Sequence, residues 1–221
     1  MLSVLPVRIK AGKGENIISV YAFLDPGSSA TFCTDGLMSQ LNIQGRKTNI
    51  WLQTMSNEKR VPTYVVSGLK ISGLVRDIFT QLPDGFTQKE MPVTADNIPS
   101  KQNLARWPYL QKVNIPEIDG NIELLIGMNA SKIMEPWEII NSQGEGPYAV
   151  KTLVGRLVNG PLRGSKSSID NDCQSAIVNR ISIANLETLL VNQYIHDFNE
   201  KASEEKREHS IEDKRFLEIA S

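Results

Sequence analysis

The sequence has few of the residues on which most metal and nucleophile chemistry depends. Two cysteines, Cys33 and Cys173, lie in unrelated settings, and both histidines, His196 and His209, come near the C-terminal end. No Cys-x-x-Cys pair is present, so zinc ribbons and dithiol redox motifs are excluded. Because the chain before His196 has no histidine, Ser-His and Cys-His catalysis have no base there, and an imidazole metal site is not expected. We therefore predict no metal and no cofactor.

The chain also lacks a strong charge of one sign and a long apolar run. Its formal net charge is −1, which gives no field favouring nucleic acid or an acidic membrane. No apolar run approaches the ~20 residues that span a bilayer, and the first ten residues lack the basic start of a signal peptide. We expect an intracellular, cytoplasmic protein with reduced thiols, bound neither to membranes nor directly to nucleic acid. Cys33 lies in an apolar stretch, and we interpret it as a small buried hydrophobic residue and not as a nucleophile.

What is present is a series of short β-type segments at close spacing, which predicts a mainly β body with one or two short helices. The predicted strands are residues 2–9 and 17–24 as a hairpin, 48–55, 61–69, 71–82 broken at Gly73, 122–126, and 148–158 interrupted at Gly155. Pro62 favours an edge or irregular strand. A short helix is predicted over roughly 34–41, with Thr34 or Asp35 as its cap, and a helical turn over 129–134. Residues 86–118 are predicted to be a loop packed on the body.

The composition changes after Gly164. We predict a body at residues 1–162 and a Ser- and Asn-rich linker at 163–182. Residues 183–221 are predicted to form a charged tail, whose segment 183–198 has helical periodicity.

One candidate for chemistry stands out in the body, the sequence Leu24-Asp25-Pro26-Gly27-Ser28-Ser29. The predicted hydrophobic strand ends at Asp25, which begins a tight turn. An ionised carboxylate at a buried strand end is costly unless it is hydrogen-bonded or shares a proton. The turn amides and the hydroxyls of Ser28 and Ser29 are candidate donors. A second carboxylate nearby would let the pair share one proton, with one member activating water and the other donating to a carbonyl oxygen. The competing interpretation is an ordinary strand-to-loop turn, for which Asp-Pro-Gly is common.

The body has one Asp-x-Gly sequence, so a carboxylate pair built from such loops requires two copies of the chain, with Asp25 near a two-fold axis. A second element favours this interpretation. The segment 122–129 is an apolar strand that ends in Gly127 and then Asn129, about 100 residues after Asp25, a distance that suits a strand packed beneath the first loop.

Several short motifs taken together resemble the aspartic peptidase of BEL/Pao-type retrotransposon polyproteins, a distant relative of retropepsins. They are Tyr21 to Cys33, Arg106-Trp-Pro-Tyr-Leu110, Ile122 to Asn129, Met134-Glu-Pro-Trp137, Gly146 to Thr152 and Val158 to Leu162. The segment that carries the resemblance, from Leu5 to Pro161, is about two-thirds of the chain. Asp197 to Lys201 and Ser210 to Arg215 resemble the stretch that leads into the reverse transcriptase of such polyproteins.

The resemblance implies a retropepsin-like acid protease barrel, acting on a peptide or polyprotein substrate. Asp25 would be catalytic, Pro26, Gly27, Ser28 and Ser29 would form its loop, and Ile126 and Gly127 would lie in the strand that supports it. Gln53, Thr54, Met55, Ser56 and Asn57 would form the flap over the substrate. The sequence departs from retropepsins at two points. Pro26 stands where a hydroxyl normally locks the two loops of the dimer together, and the flap has no glycine.

Two functions from different classes follow from these observations. The first is an aspartic endopeptidase that processes a retrotransposon polyprotein as a homodimer. The second is a non-catalytic, decayed or domesticated β domain that serves as a dimerisation or scaffolding module. The intact Asp25-x-Gly27 favours the enzyme, whereas Pro26 and the glycine-free flap favour the module.

Overall fold

The computed structural model describes residues 2–12, 14–54, 58–161 and, for the backbone alone, 182–183. The predicted linker and tail therefore lie outside the described residues, apart from Ser182 and Ile183. Among the residues that are described, no helix has both the length and the apolar content needed to cross a membrane.

The described residues form a mainly β body, as predicted. The strands are β1 Val4–Ala11, β2 Ile17–Leu24, β3 Phe32–Thr34, β4 Arg46–Gln53, β5 Glu58–Val66, β6 Leu69–Gly73, β7 Thr80–Gln81, β8 Gly85–Gln88, β9 Ile122–Ile126, β10 Glu138–Ile140, β11 Tyr148–Thr152, β12 Gly155–Asn159 and β13 Ser182–Ile183. The helices are α1 Asp35–Gln40, α2 Lys101–Ala105 and α3 Ser131–Met134, with 3-10 turns at Ala95–Asn97, Pro108–Leu110 and Met128–Ala130.

Ten of these strands form one sheet, in the order β13-β4-β5-β8-β3-β9-β2-β1-β6-β7, and β10, β11 and β12 form a second. The predicted β1–β2 hairpin is confirmed, with Val4 opposite Phe23 and Lys10 opposite Ile17. Gly12, just after β1, has a φ of 51°, a left-handed conformation that favours glycine.

The predicted first helix is also confirmed. The backbone N–H of Leu37 donates to the Thr34 side chain at 3.0 Å, which identifies Thr34 as the N-cap. The same hydroxyl donates to the carboxylate of Glu123 in β9, so the helix start is tied to the centre of the sheet.

Several predicted elements need correction. The stretch 71–82 is not one strand, because β6 ends at Gly73 and only Thr80–Gln81 resumes pairing. The strand containing Pro62 is not at the edge of the sheet. It lies between β4 and β8, and the missing N–H of Pro62 is tolerated because β8 pairs only with Val65 and Val66.

The segment 86–118 is more ordered than a loop. Its first residues belong to strand β8, which begins at Gly85. Later residues form α2 and the Pro108–Leu110 turn. It does pack on the body, because its apolar residues share a cluster with the second sheet. That cluster is built from Leu104, Leu110, Val113, Ile115, Ala149 and Val158, with Trp107, Tyr109 and Ile140 packed against it.

A different apolar cluster lies around the end of β2. It contains Val4, Tyr21, Phe23, Ala30, Phe32, Ile50, Val93, Ile122 and Leu125. Phe23 and Ala30 stand on either side of the Asp25 turn, so this cluster fixes where the turn begins and ends.

Candidate functional site

The sheet topology places Asp25 beside the end of β9. Strand β2 runs parallel to β9, with Leu24 opposite Ile126, and β3 pairs antiparallel to the other side of β9. The segment from Asp25 to Thr31, which we call the acid loop, therefore crosses the C-terminal end of β9. This arrangement confirms that the strand ending at Ile126 lies next to the loop that carries Asp25.

Backbone hydrogen bonds join the acid loop to the residues after β9. The N–H of Asp25 donates to the carbonyl of Ile126 at 2.9 Å, and the N–H of Met128 donates to the carbonyl of Ser28 at 2.8 Å. Gly127, between them, lies against the backbone of Ala30 so closely that no Cβ fits there. The glycine is therefore required by the packing of two chain segments.

A side-chain network completes the connection. The buried hydroxyl of Thr31 accepts from the N–H of Gly127 at 3.3 Å and donates to Oδ1 of Asn129 at 2.8 Å. The Asn129 amide in turn donates to the carbonyl of Asp84 at 3.4 Å. We call Thr31, Gly127 and Asn129 the clamp. Sequence reasoning missed Thr31, since a single hydroxyl at the start of a strand is too common to signal such a role.

The Asp25 side chain is buried but only half paired. The residue is 5% exposed, and the N–H of Gly27 donates to its Oδ1 at 2.9 Å. Its Oδ2 is buried and has no hydrogen-bond partner among the described residues. Burial raises the pKa of this carboxyl above its usual value of 3.8, and the bond from Gly27 opposes that shift only in part. A carboxyl in this setting favours holding or sharing a proton.

The other residues of the acid loop divide into buried and exposed. Ser28 is fully buried, whereas Pro26, Gly27 and Ser29 are exposed. The Ser28 hydroxyl donates to the carbonyl of Ala30 at 2.7 Å. The prediction that this hydroxyl hydrogen-bonds to the Asp25 carboxylate is therefore wrong, because its proton closes the loop on itself. The predicted contribution of a turn amide is confirmed by Gly27.

The predicted flap coincides with the β4–β5 hairpin. Gln53 ends β4 opposite Glu58, Thr54 follows, and Met55, Ser56 and Asn57 lie outside the described residues. Ile50 of the hairpin is buried in the cluster that contains Phe23 and Ala30. The hairpin and the residues around the acid loop thus share one apolar cluster. On its outer edge, β13 pairs Ser182 with Gln53.

Cys33 shows no features of a nucleophile. It is buried as a free thiol in β3, and burial with the nearby charge of Asp35 raises its pKa to about 12. Within the described ranges, no group of three or more His, Cys, Asp or Glu side chains is arranged to hold a metal ion.

Comparison of the chain with protein-family models, with curated proteins and with solved structures finds no match.

Proposed function

We propose that the chain is an aspartic endopeptidase that works as a homodimer, with Asp25 from each copy forming the catalytic pair. The observation that carries the proposal is the buried Asp25 carboxyl, with one oxygen bonded to Gly27 and the other without a hydrogen-bond partner among the described residues. A half-paired carboxyl is costly to retain in a folded protein. A second carboxyl that shares its proton would stabilise it and would create an acid–base pair.

The proposed mechanism uses the two carboxyls in different protonation states. The ionised Asp25 takes a proton from a water molecule as the oxygen of that water attacks the peptide carbonyl carbon. The protonated Asp25 of the other copy donates its proton to the carbonyl oxygen, giving a neutral tetrahedral diol. The first Asp25 then gives the proton it took from water to the amide nitrogen, while the other Asp25 takes a proton from one hydroxyl of the diol. The C–N bond breaks, and the amine and the carboxylic acid are released. The raised pKa of Asp25 supports this division, because a group that holds its proton more strongly can act as the acid.

The environment of Asp25 supports a retropepsin-like fold for residues 1–162. The acid loop crosses the end of β9, and the β4–β5 hairpin shares an apolar cluster with residues around that loop. The proposed substrate is an extended segment of a retrotransposon polyprotein, paired by main-chain hydrogen bonds below the hairpin. The proposed setting is a BEL/Pao-type polyprotein inside the cell, with residues 183–221 leading to its reverse transcriptase.

The second candidate is a β domain that dimerises or scaffolds without catalysis. Pro26 offers no hydroxyl to bond the partner's loop, and the Ser28 hydroxyl is bonded to Ala30 of its own loop. Pro26 thus replaces the hydroxyl that normally joins two such loops, and the Ser28 hydroxyl is already bonded within its own loop. This favours a dimer whose two Asp25 carboxyls are not aligned.

The decisive experiment measures cleavage of peptides that span the junctions of the polyprotein, at mildly acidic pH. Asp25→Asn keeps the side-chain shape but removes the charge, and the matched control is Asp119→Asn, an exposed aspartate that precedes a glycine. We expect Asp25→Asn to abolish cleavage and Asp119→Asn to leave it unchanged. Equal loss in both, or equal activity in both, would exclude Asp25 from the mechanism.

A mixing experiment tests the shared pair. Adding excess Asp25→Asn protein to wild type forms mixed dimers that carry one carboxylate each. We expect cleavage to fall below that of the same amount of wild type alone, whereas added Asp119→Asn protein would not reduce it. Unchanged cleavage in the Asp25→Asn mixture, with mixed dimers verified by mass, would show that one carboxylate suffices and would refute the dimeric mechanism.

A further inference from the structure

A groove lies between the two sheets, on elements that do not include the acid loop. It encloses about 460 Å³. Its lining comes from the start of β1, the end of β6 with the residues after it, the loop at 114–116, and the β11–β12 turn. A volume of this size is in the range of sites that bind small ligands or short peptide segments.

Two glycines bring the sheets together at the floor of this groove. Gly73, at the end of β6, lies so close to the carbonyl of Val154 that a Cβ would collide with it. Gly155 has a φ of 148°, and a Cβ there would lie 3.1 Å from Leu5. At Gly73 the floor is therefore set by the close approach of two backbone segments.

The charged side chains of the lining are all positive. They are Arg76, Lys151 and Arg156, and none of the described lining residues is acidic. Glu138, which lies outside the lining, accepts from Arg156 at 3.0 Å and pairs with Lys151 at 3.5 Å. One carboxylate thus faces two cations. Arg76 lies over the ring of Trp137, with its guanidinium carbon 5.0 Å from the ring centroid. The groove keeps an excess of positive charge.

The rest of the lining is mostly aliphatic. Leu74 and Leu153 are half-buried, Pro116 lies beside them, and Val75 is 92% exposed. The exposed side chain of Val75 offers an aliphatic contact at the edge of the cationic groove. Proteins that hold single-stranded nucleic acid combine a cationic groove with aromatic side chains on which the bases stack, and no described lining residue is aromatic. The combination of cations with aliphatic walls favours a peptide.

We propose that this groove binds an extended peptide in which acidic residues flank an aliphatic side chain. The acidic groups would pair with Arg76, Lys151 and Arg156, and the aliphatic group would contact Leu74, Leu153 and Val75. This surface recruits its partner independently of Asp25, so the proposal stands whether or not the chain is a peptidase.

The test measures binding to the full chain by fluorescence anisotropy of a labelled eight-residue peptide of alternating Glu and Leu. Three comparison probes are the same peptide with Ser for Leu, the same peptide with Lys for Glu, and an eight-nucleotide oligo-dT. We expect the Glu-Leu peptide to bind most tightly, with an affinity that falls between 50 mM and 500 mM salt (about 14 Å and 4 Å screening lengths) because exposed ion pairs are screened.

Variants at exposed positions separate binding from folding. Arg76→Gln is expected to weaken binding roughly fivefold, the upper range for an exposed ion pair, and Val75→Ser is expected to weaken it about twofold. The matched control, Arg106→Gln, alters an exposed arginine outside the lining and is expected to leave binding unchanged. Urea midpoints equal to that of wild type will verify that each variant is folded.

Four results would overturn the proposal. The first is equal binding of the Glu-Leu and Glu-Ser peptides, which would show that the aliphatic walls do not contribute to binding. The second is an equal effect of Arg76→Gln and Arg106→Gln, and the third is no binding at millimolar peptide. The fourth is tighter binding of oligo-dT than of the peptide, which would reassign the groove to nucleic acid.

Discussion

The substitution Thr31→Val tests the clamp that holds the acid loop on β9. Valine has nearly the same shape as threonine, so the change removes the hydroxyl and little else. The hydroxyl accepts from Gly127 at 3.3 Å and donates to Asn129 at 2.8 Å. Each bond contributes about 1 kcal/mol, and the N–H of Gly127, which is buried, would lose its partner at a cost of about 1–3 kcal/mol. We expect Thr31→Val to lower the free energy of unfolding by about 2–4 kcal/mol.

Urea unfolding followed by circular dichroism measures this loss, with an unchanged slope showing that the denatured state is unaffected. The matched control is Thr48→Val in β4, because Thr48 is half-buried and makes no side-chain hydrogen bond in the structure. We expect Thr48→Val to change stability by less than ~0.5 kcal/mol. If both substitutions have the same effect, the Thr31 hydroxyl does not hold the loop, and the reasoning about the clamp is refuted.

Three further predictions use other features of the site. Asp25→Asn should stabilise the fold relative to wild type, and the difference should grow as the pH rises above 3.8. The reason is that ionising a carboxyl whose pKa is raised in the folded state destabilises the folded wild type. A pH-independent difference in the free energy of unfolding, measured in urea, would contradict this. Gly127→Ala should lower the free energy of unfolding by roughly 3 kcal/mol, because the new Cβ collides with the backbone of Ala30. Gly36→Ala in α1, where a Cβ meets only ordinary contacts, should leave it unchanged or raise it by up to about 1 kcal/mol. Thermal melts that rank the two variants equally would refute the packing argument. Cys33 should remain unlabelled by iodoacetamide at pH 8 until urea unfolds the chain, and peptide mass spectrometry showing rapid labelling of Cys33 itself in the folded protein would contradict its burial.

The elements that sequence reasoning identified are those with strong local signals. The β1–β2 hairpin has two apolar strands on either side of a glycine-bearing turn, and α1 has a capping threonine before an apolar face. Strand β9 was identified from five consecutive residues that are almost all apolar. In each case neighbouring residues in the chain carry the signal, so no knowledge of distant contacts was needed.

The missed elements depend on partners far away in the sequence. Strand β8 has only four residues, yet it lies inside the large sheet because it pairs with β3 on one side and with β5 on the other. Thr31 reaches an asparagine 98 residues later. The Ser28 hydroxyl had several acceptors within reach, and only the folded loop shows that the carbonyl of Ala30 receives its proton.

The insertion of β9 between β2 and β3 also sets an order for biosynthesis. Asp25 leaves the ribosome long before Ile126, yet its backbone and that of Ser28 find their partners only at Ile126 and Met128. The acid loop therefore remains without its bonds to Ile126 and Met128 while the intervening hundred or so residues are being translated. Nascent chains that end before this point cannot assemble the site, so a proteolytic activity based on it would begin only after translation has passed β9.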